Sequence, residues 1–178
     1  ERGQIASRVT HERGQVLRTE IYWDDGKLRF SEEANGERRV VRQFARDGVL
    51  RKQTERRNGQ RLIEQDYSER GTLTAEKRWS LGGALEREEE WYLNGQLKNS
   101  IAHDAGGRIE RGFHDNGRPS WEGRFVLQDR GRAVPTGAHK SFDDSGRLRT
   151  EAIYDERGRV TRERSWDDAG RVQRDDEV

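Results

Sequence analysis

Residues 154 to 171 read YDERGRVTRERSWDDAGR, one phrase stated twice: an aromatic residue, Asp, two further residues, Gly, Arg and Val, repeated after twelve positions. The same punctuation runs through the chain. Turn-type glycines fall at positions 3, 14, 26, 36, 48, 59, 71, 83, 95, 107, 117, 146, 158 and 170, mostly ten to twelve residues apart. Two residues after the glycine an apolar side chain follows in eleven of fourteen cases: Ile5, Val16, Leu28, Leu50, Leu73, Leu85, Leu97, Ile109, Leu148, Val160 and Val172. Four residues before it an aromatic stands in nine: Tyr22, Phe44, Tyr67, Trp79, Trp91, Phe113, Phe142, Tyr154 and Trp166. A glycine at this interval would interrupt every helix, and the apolar positions do not recur at three and four. Turn-bounded segments of about nine residues read instead as strands of a meander.

Parity selects the turn. With a two-residue loop, the aromatic of one strand and the apolar residue of the next would point to opposite faces. A three-residue loop ending in a left-handed Gly sets them opposite each other on one face. Asp, Asn and Ser before the Gly suit that loop because they bond the local backbone. Each repeat then makes one strand, one turn and one apolar cross-strand pair. Such a pair contributes roughly 0.2–1 kcal/mol beyond burial, so stacking along the array must supply the stability. The expected fold is all-β: an extended antiparallel meander of about fourteen short strands in a twisted, largely single-layer repeat sheet. It forms one array over 1–178, with an irregular longer excursion at 118–145. The eleven-residue spacing from Gly48 to Gly59 predicts a bulge at Arg61 and Leu62. In the excursion, which holds Pro119 and Pro135, a strand near 120–128, a long loop near 129–137 and a return strand are expected.

Composition agrees with a thin sheet. Leu, Ile, Val and Phe number 32 of 178 residues, about 18%, a level typical of disordered chains. The 35 basic and 34 acidic side chains nearly cancel, however, and no long block of like charge occurs. That balance gives no electrostatic reason to expect nucleic acid. Cysteine is absent, which excludes disulfides and thiol chemistry. No apolar run approaches the roughly 20 residues of a membrane-spanning helix. The chain starts at Glu1 and has no Met, so a processed or truncated piece is expected. If the partner is secreted, a periplasmic or membrane-anchored location is favoured over a cytoplasmic one.

The order Gly, Lys/Arg/Gln, apolar, mid-strand Glu, aromatic, then Asp or Asn before the next Gly is carried best by YWDDGKLRFSEE (22–33) and YLNGQLKNS (92–100). It resembles the variant class of MORN repeats of bacterial antitoxin- and immunity-type proteins. YDERGRV (154–160) is also similar to the YD repeats of RHS-type shells, although this chain is short for enclosing a cargo. The resemblance implies a non-enzymatic module that binds and neutralises a partner toxin or effector by occlusion. It transfers no catalytic residue. The alternative is a structural segment of a larger YD/RHS-like or cell-surface assembly.

Nothing in the sequence asks for a cofactor or a metal. His11, His103, His114 and His139 lie in different repeats without ligand spacing and read as surface or turn residues. The acidic turns WDDG (23–26), FDDSG (142–146) and WDDAG (166–170) match no calcium loop and read as turn chemistry. LGGAL (81–85) reads as another hairpin. Partner-binding candidates fall in two groups. In the expected register, Glu64, Glu76 and Glu88 stack in successive strands on the face away from the apolar pairs, as do Glu151, Glu163 and Asp175; Glu86 and Glu90 join Glu88, and Arg78 opposes Glu86. Like charges so placed are unfavourable, which points to a stripe for a partner protein with a basic surface. The excursion offers Trp121, Phe125, Arg130 and Arg132 for specific contacts.

Overall fold

The computed structural model describes residues 5–128 and 131–178. Among them the fold is all-β, an antiparallel meander of fifteen strands in chain order. They are β1 (Ser7–Glu12), β2 (Gln15–Tyr22), β3 (Leu28–Asn35), β4 (Arg38–Phe44), β5 (Leu50–Arg57), β6 (Gln60–Tyr67), β7 (Leu73–Trp79), β8 (Leu85–Trp91), β9 (Leu97–Asp104), β10 (Gly107–Phe113), β11 (Pro119–Leu127), β12 (Ala133–Phe142), β13 (Leu148–Tyr154), β14 (Val160–Trp166) and β15 (Val172–Glu177). No helix among the described residues is long and apolar enough to cross a membrane. The chain divides into two compact units, Glu1–Glu86 and Arg87–Val178.

The turn inferred from parity is the commonest. At Gly26, with φ of 81°, the glycine N–H donates to the Trp23 carbonyl at 2.9 Å and the Trp23 N–H donates to the Lys27 carbonyl at 2.8 Å. It sets Tyr22 against Leu28, and the same geometry sets Phe44 against Leu50 and Tyr67 against Leu73 in the first unit. The second unit pairs Trp91 with Leu97, Phe142 with Leu148, Tyr154 with Val160 and Trp166 with Val172. Tight two-residue loops occur at Arg13–Gly14, Gly36–Glu37, Asn58–Gly59 and Ala105–Gly106. Gly107 therefore opens β10 rather than sitting in the turn.

The bulge expected at Leu62 is present, since Glu55 pairs with Ile63 while Arg56 pairs with Arg61. It is the rule and no local defect. Arg29, Arg51 and Thr74 are skipped in the same way in the first unit, and Lys98, Ser120, Arg149, Thr161 and Gln173 in the second. Each extra residue shifts the remaining ladder by one position, which reverses the face on which every later side chain lies.

The long loop expected over 129–137 is absent from 133 onward, where β12 already begins at Ala133, and its first two positions lie outside the described residues. Between β11 and β12 the Gly131 N–H donates to the Gln128 carbonyl and the Gln128 N–H to the Arg132 carbonyl, both at 3.0 Å. The extra length lies in the strands, of nine and ten residues, and in a wide bulge. There the pairing jumps from Glu122 with Lys140 to Arg124 with Thr136, leaving Gly137, Ala138 and His139 opposite Gly123.

Little of the interior is apolar. Val40 and Val134 are buried, but so are Ser31, Glu76 and Glu20, at 2, 5 and 8% exposure. On the face of the apolar pairs, a row runs across the first unit from Glu20 through Ser31, Arg42, Gln53 and Gln65 to Glu76, each directly opposite the next. Arg42 Nε donates to Gln53 Oε1 at 2.7 Å, Gln53 Nε2 to Gln65 Oε1 at 3.0 Å, and Gln65 Nε2 to Glu76 Oε2 at 2.6 Å. Tyr22 and Tyr67 close the row with hydroxyl bonds to Glu20 at 2.8 Å and Gln65 at 2.9 Å. Buried polar groups are tolerable when they satisfy one another in this way. In the second unit the corresponding row runs Glu89, Ser100, Arg111, Glu122, Lys140, Glu151, Arg164, Asp175, and from Arg111 onward the charge alternates at every strand.

Candidate functional site

The bulges dissolve the expected acidic ladders. Glu64 lies opposite Lys77, and its carboxylate meets Lys52 Nζ and Arg61 at 3.0 Å each. Glu76 lies opposite Gln65, buried in the polar row on the face of the apolar pairs. Glu151 faces Arg164 and ion-pairs with it, while Glu163 faces Ala152 and pairs with Arg174 at 2.9 Å. Asp175 takes a two-pronged contact from Arg162, at 2.7 and 2.8 Å. Glu88 meets His103 Nε2 at 3.0 Å, Glu90 accepts from Asn99 Nδ2 at 3.0 Å, and Glu86 is exposed. An uninterrupted ladder would have stacked these acids. A one-residue slip in most of the hairpins places most of them beside cations instead.

The acidic turns hold their own backbones. Asp143 Oδ1 accepts the N–H groups of Ser145 and Arg147 at 3.0 and 2.9 Å, and Asp155 and Asp167 repeat the geometry. The N–H of the residue after the glycine is the chief cause that holds these three carboxyls below the ordinary aspartate range. In WDDG, Asp25 caps the Lys27 N–H at 3.0 Å.

Two residues expected to make specific contacts share a face. Trp121 and Phe125 stand on one face of β11, with Gly123 between them, on the side away from the Phe113 and Phe142 pairs. Gly112 lies directly opposite Trp121, and a Cβ there would overlap the indole. A Cβ at Gly123 would likewise overlap the His139 ring. Strand glycines of this kind mark a close approach. His139, which the sequence reading assigned to the surface or a turn, is half-buried in β12: its Nε2–H donates to the Arg124 carbonyl at 2.8 Å. Its ring packs edge-on to Phe125 at 5.0 Å and to Tyr154 at 4.8 Å. The Arg108 guanidinium lies 5.5 Å from the Phe125 ring centre. The result is a half-exposed aromatic ledge of Trp121, Phe125, His139 and Tyr154 on glycine-thinned strands. Arg132 does not join it, being a turn residue bonded to Gln128 at 3.2 Å, and Arg130 lies outside the described residues. His139 and Tyr154 escaped the sequence reading because only the wide bulge brings their strands into that register.

His114 and His11 hold the turn and surface positions expected of them. His114 reaches the Phe142 carbonyl at 3.0 Å, bridging two turns, and His11 is exposed on β1. Behind the ledge, on the face of the Phe113 and Phe142 pairs, the wide bulge opens a groove of about 630 Å³ lined by Arg124, Val126, Thr136, Gly137, Ala138 and Glu156. Arg124 in its lining is engaged by Asp104 at 2.8 Å. Ledge and groove offer stacking, shape and hydrogen bonding, the contacts of recognition.

No family model matches the chain, and no curated protein does. Among solved structures, the crystal structure of TarM aligns with a TM-score of 0.40 and 8% identity, over 55% of this chain and 19% of that one. An S. aureus TarM mutant in complex with fondaparinux, alpha-GlcNAc-glycerol and UDP aligns with a TM-score of 0.41 and 7% identity, over 55% and 20%. The chain thus spans about a fifth of each TarM chain, at scores that carry no argument about fold or function.

Proposed function

We propose that this chain is a non-enzymatic protein-binding β-repeat module that neutralises a partner toxin or effector by occluding it. The observation that carries the binding role is the aromatic ledge. Trp121, Phe125, His139 and Tyr154 are only half-buried; Phe125, His139 and Tyr154 are fixed by ring packing and the His139 hydrogen bond, and Trp121 is set by strand pairing against Gly112. Large aromatic side chains held rigid at a surface are the usual anchors of protein interfaces, because little entropy is lost when a partner covers them. The neutralising role rests on the resemblance of the repeat to antitoxin- and immunity-type MORN proteins. A partner with a basic surface loses the reason first given for it, since the acids are paired along the ladder.

The test is co-expression of the chain with the products of adjacent genes. A neighbour that is toxic alone, silenced by this chain and recovered with it in a stoichiometric complex supports the proposal. Trp121→Ala combined with Phe125→Ala should abolish both complex and protection while leaving the circular dichroism of the sheet intact. A chain that captures nothing and assembles only with itself would favour the structural segment of a larger repeat assembly.

A further inference from the structure

Like charges seldom face each other in this sheet. Where Glu163 meets Asp176, Arg174 bridges the two, at 2.9 and 2.5 Å. One place in the first unit departs from that economy. Across β4, β5 and β6, on the face away from the apolar pairs, Arg39 lies directly opposite Arg56, and Arg56 directly opposite Arg61. On the other face at the same end, Arg38 lies opposite Arg57. That pair is relieved: Glu55 takes Arg38 in a two-pronged contact at 2.7 and 2.8 Å, and Glu37 takes Arg57 at 3.3 Å. The outer members of the Arg39–Arg56–Arg61 row also have acids, Glu32 at 2.6 Å and Glu64 at 3.0 Å. Arg56, in the middle, has no carboxylate partner among the described residues; its one hydrogen bond goes to the Gly59 carbonyl at 3.4 Å. All three side chains are exposed.

We propose that this row is a docking site for an acidic, extended segment of a protein partner. Directly opposed like charges destabilise a sheet, so an unrelieved cation between two others is a standing electrostatic demand for an anion. Adjacent strands lie about 4.8 Å apart, which spreads the three guanidinium stems over about 10 Å. Alternate residues of an extended peptide are about 6.7 Å apart, so two acidic side chains spaced i, i+2 reach Arg56 and one neighbour. Guanidinium forks suit carboxylates in paired geometry. Apolar surface lies beside the row for flanking side chains: Trp79 sits under Arg61 at 5.2 Å, and Val41 stands two residues from Arg39 on the same face. Nucleic acid fits less well. Glu32 and Glu64 would repel a continuous phosphate chain, and the whole chain carries only +1. The site belongs to the first unit and stands independently of the aromatic ledge in the second.

The probe is a labelled (Glu-Thr)5 peptide titrated against the full chain by fluorescence anisotropy at low salt, with (Gln-Thr)5 as the uncharged comparison. Arg56→Gln should weaken binding of the acidic peptide about fivefold, the scale of an exposed charge contact. Arg171→Gln, which removes the same charge from a turn of the second unit, should change it less than about twofold. The thermal midpoint of Arg56→Gln should hold or rise, because the substitution relieves a like-charge opposition. Equal affinity for wild type and Arg56→Gln, or an equal loss in Arg171→Gln, overturns the proposal. Tighter binding of oligo-dT with the same dependence on Arg56 would also overturn it, assigning the row to nucleic acid.

Discussion

At the scale of single residues, glycine has two separate jobs here, and only one of them is turning. Gly123 is a strand residue whose missing side chain makes room for the His139 ring, and Gly158 lies against buried Val134 as well as closing its turn. Gly123→Ala must push the His139 ring off Phe125 or lengthen its bond to the Arg124 carbonyl. Overpacking of this type costs about 1–3 kcal/mol, so the thermal midpoint should fall by several degrees, and the ledge should lose its partner along with it. Gly14→Ala makes a useful contrast: nothing lies within 4 Å of its Cβ position, and φ of 81° alone is at stake. A Gly123→Ala protein as stable as wild type would show that the ring is free to move, and the ledge would then lack the rigidity that the proposed function draws on.

At the scale of the hairpin, the sequence made the turn legible and the ladder illegible. The glycine interval, the aromatic four before it and the apolar residue two after it specify a three-residue loop, and pairs such as Tyr22 with Leu28 follow that rule. The bulge that comes next leaves little mark in composition, being filled by Arg29, Leu62, Thr74, Ser120 or Gln173. One extra residue, Thr74, is enough to move Glu76 to the other face and Glu64 opposite a lysine. The arginine row has a visible origin, in contrast: ANGERR (34–39) and ERRNG (55–59) place arginine pairs beside tight turns at the same end of neighbouring strands. Gly131 does not read as a turn in the sequence, because Leu127 and Ala133 hold the positions where an aromatic and a large apolar residue are usual. The turns also set the response to acid. Backbone N–H bonds to Asp143, Asp155 and Asp167 favour their ionised form and lower the pH at which they take up a proton in the folded protein. Their stabilisation is therefore complete above the unfolded aspartate value, about 3.9, and is lost as pH falls through the lower folded values. Asparagine at all three positions keeps an acceptor oxygen but no titration. The drop in thermal midpoint between pH 5 and pH 2 should be shallower in that variant than in wild type, and an equal drop would place the acid sensitivity elsewhere.

At the scale of the whole molecule, stability has to be a sum of nearest-neighbour terms. Among the described residues the sheet pairs consecutive strands, and the buried apolar side chains are two, Val40 and Val134. The polar rows and the ion pairs between 35 cations and 34 anions take the place of a hydrophobic core. Exposed pairs contribute up to about 1 kcal/mol each, so no single hairpin secures the sheet, and each strand depends on the ones beside it. Such a molecule should open from weakly supported strands inward. β1 and β15 are exposed along their whole lengths, whereas β4 holds buried Val40 and β12 holds buried Val134. Native-state hydrogen exchange should show amides of β1 and β15 exchanging at least about a hundredfold faster than those of β4, β5, β12 and β13, with a graded series between them. A single rate for all strands would mean that each unit opens all at once, and the polar rows would then be cooperative cores in place of stacked neighbour contacts.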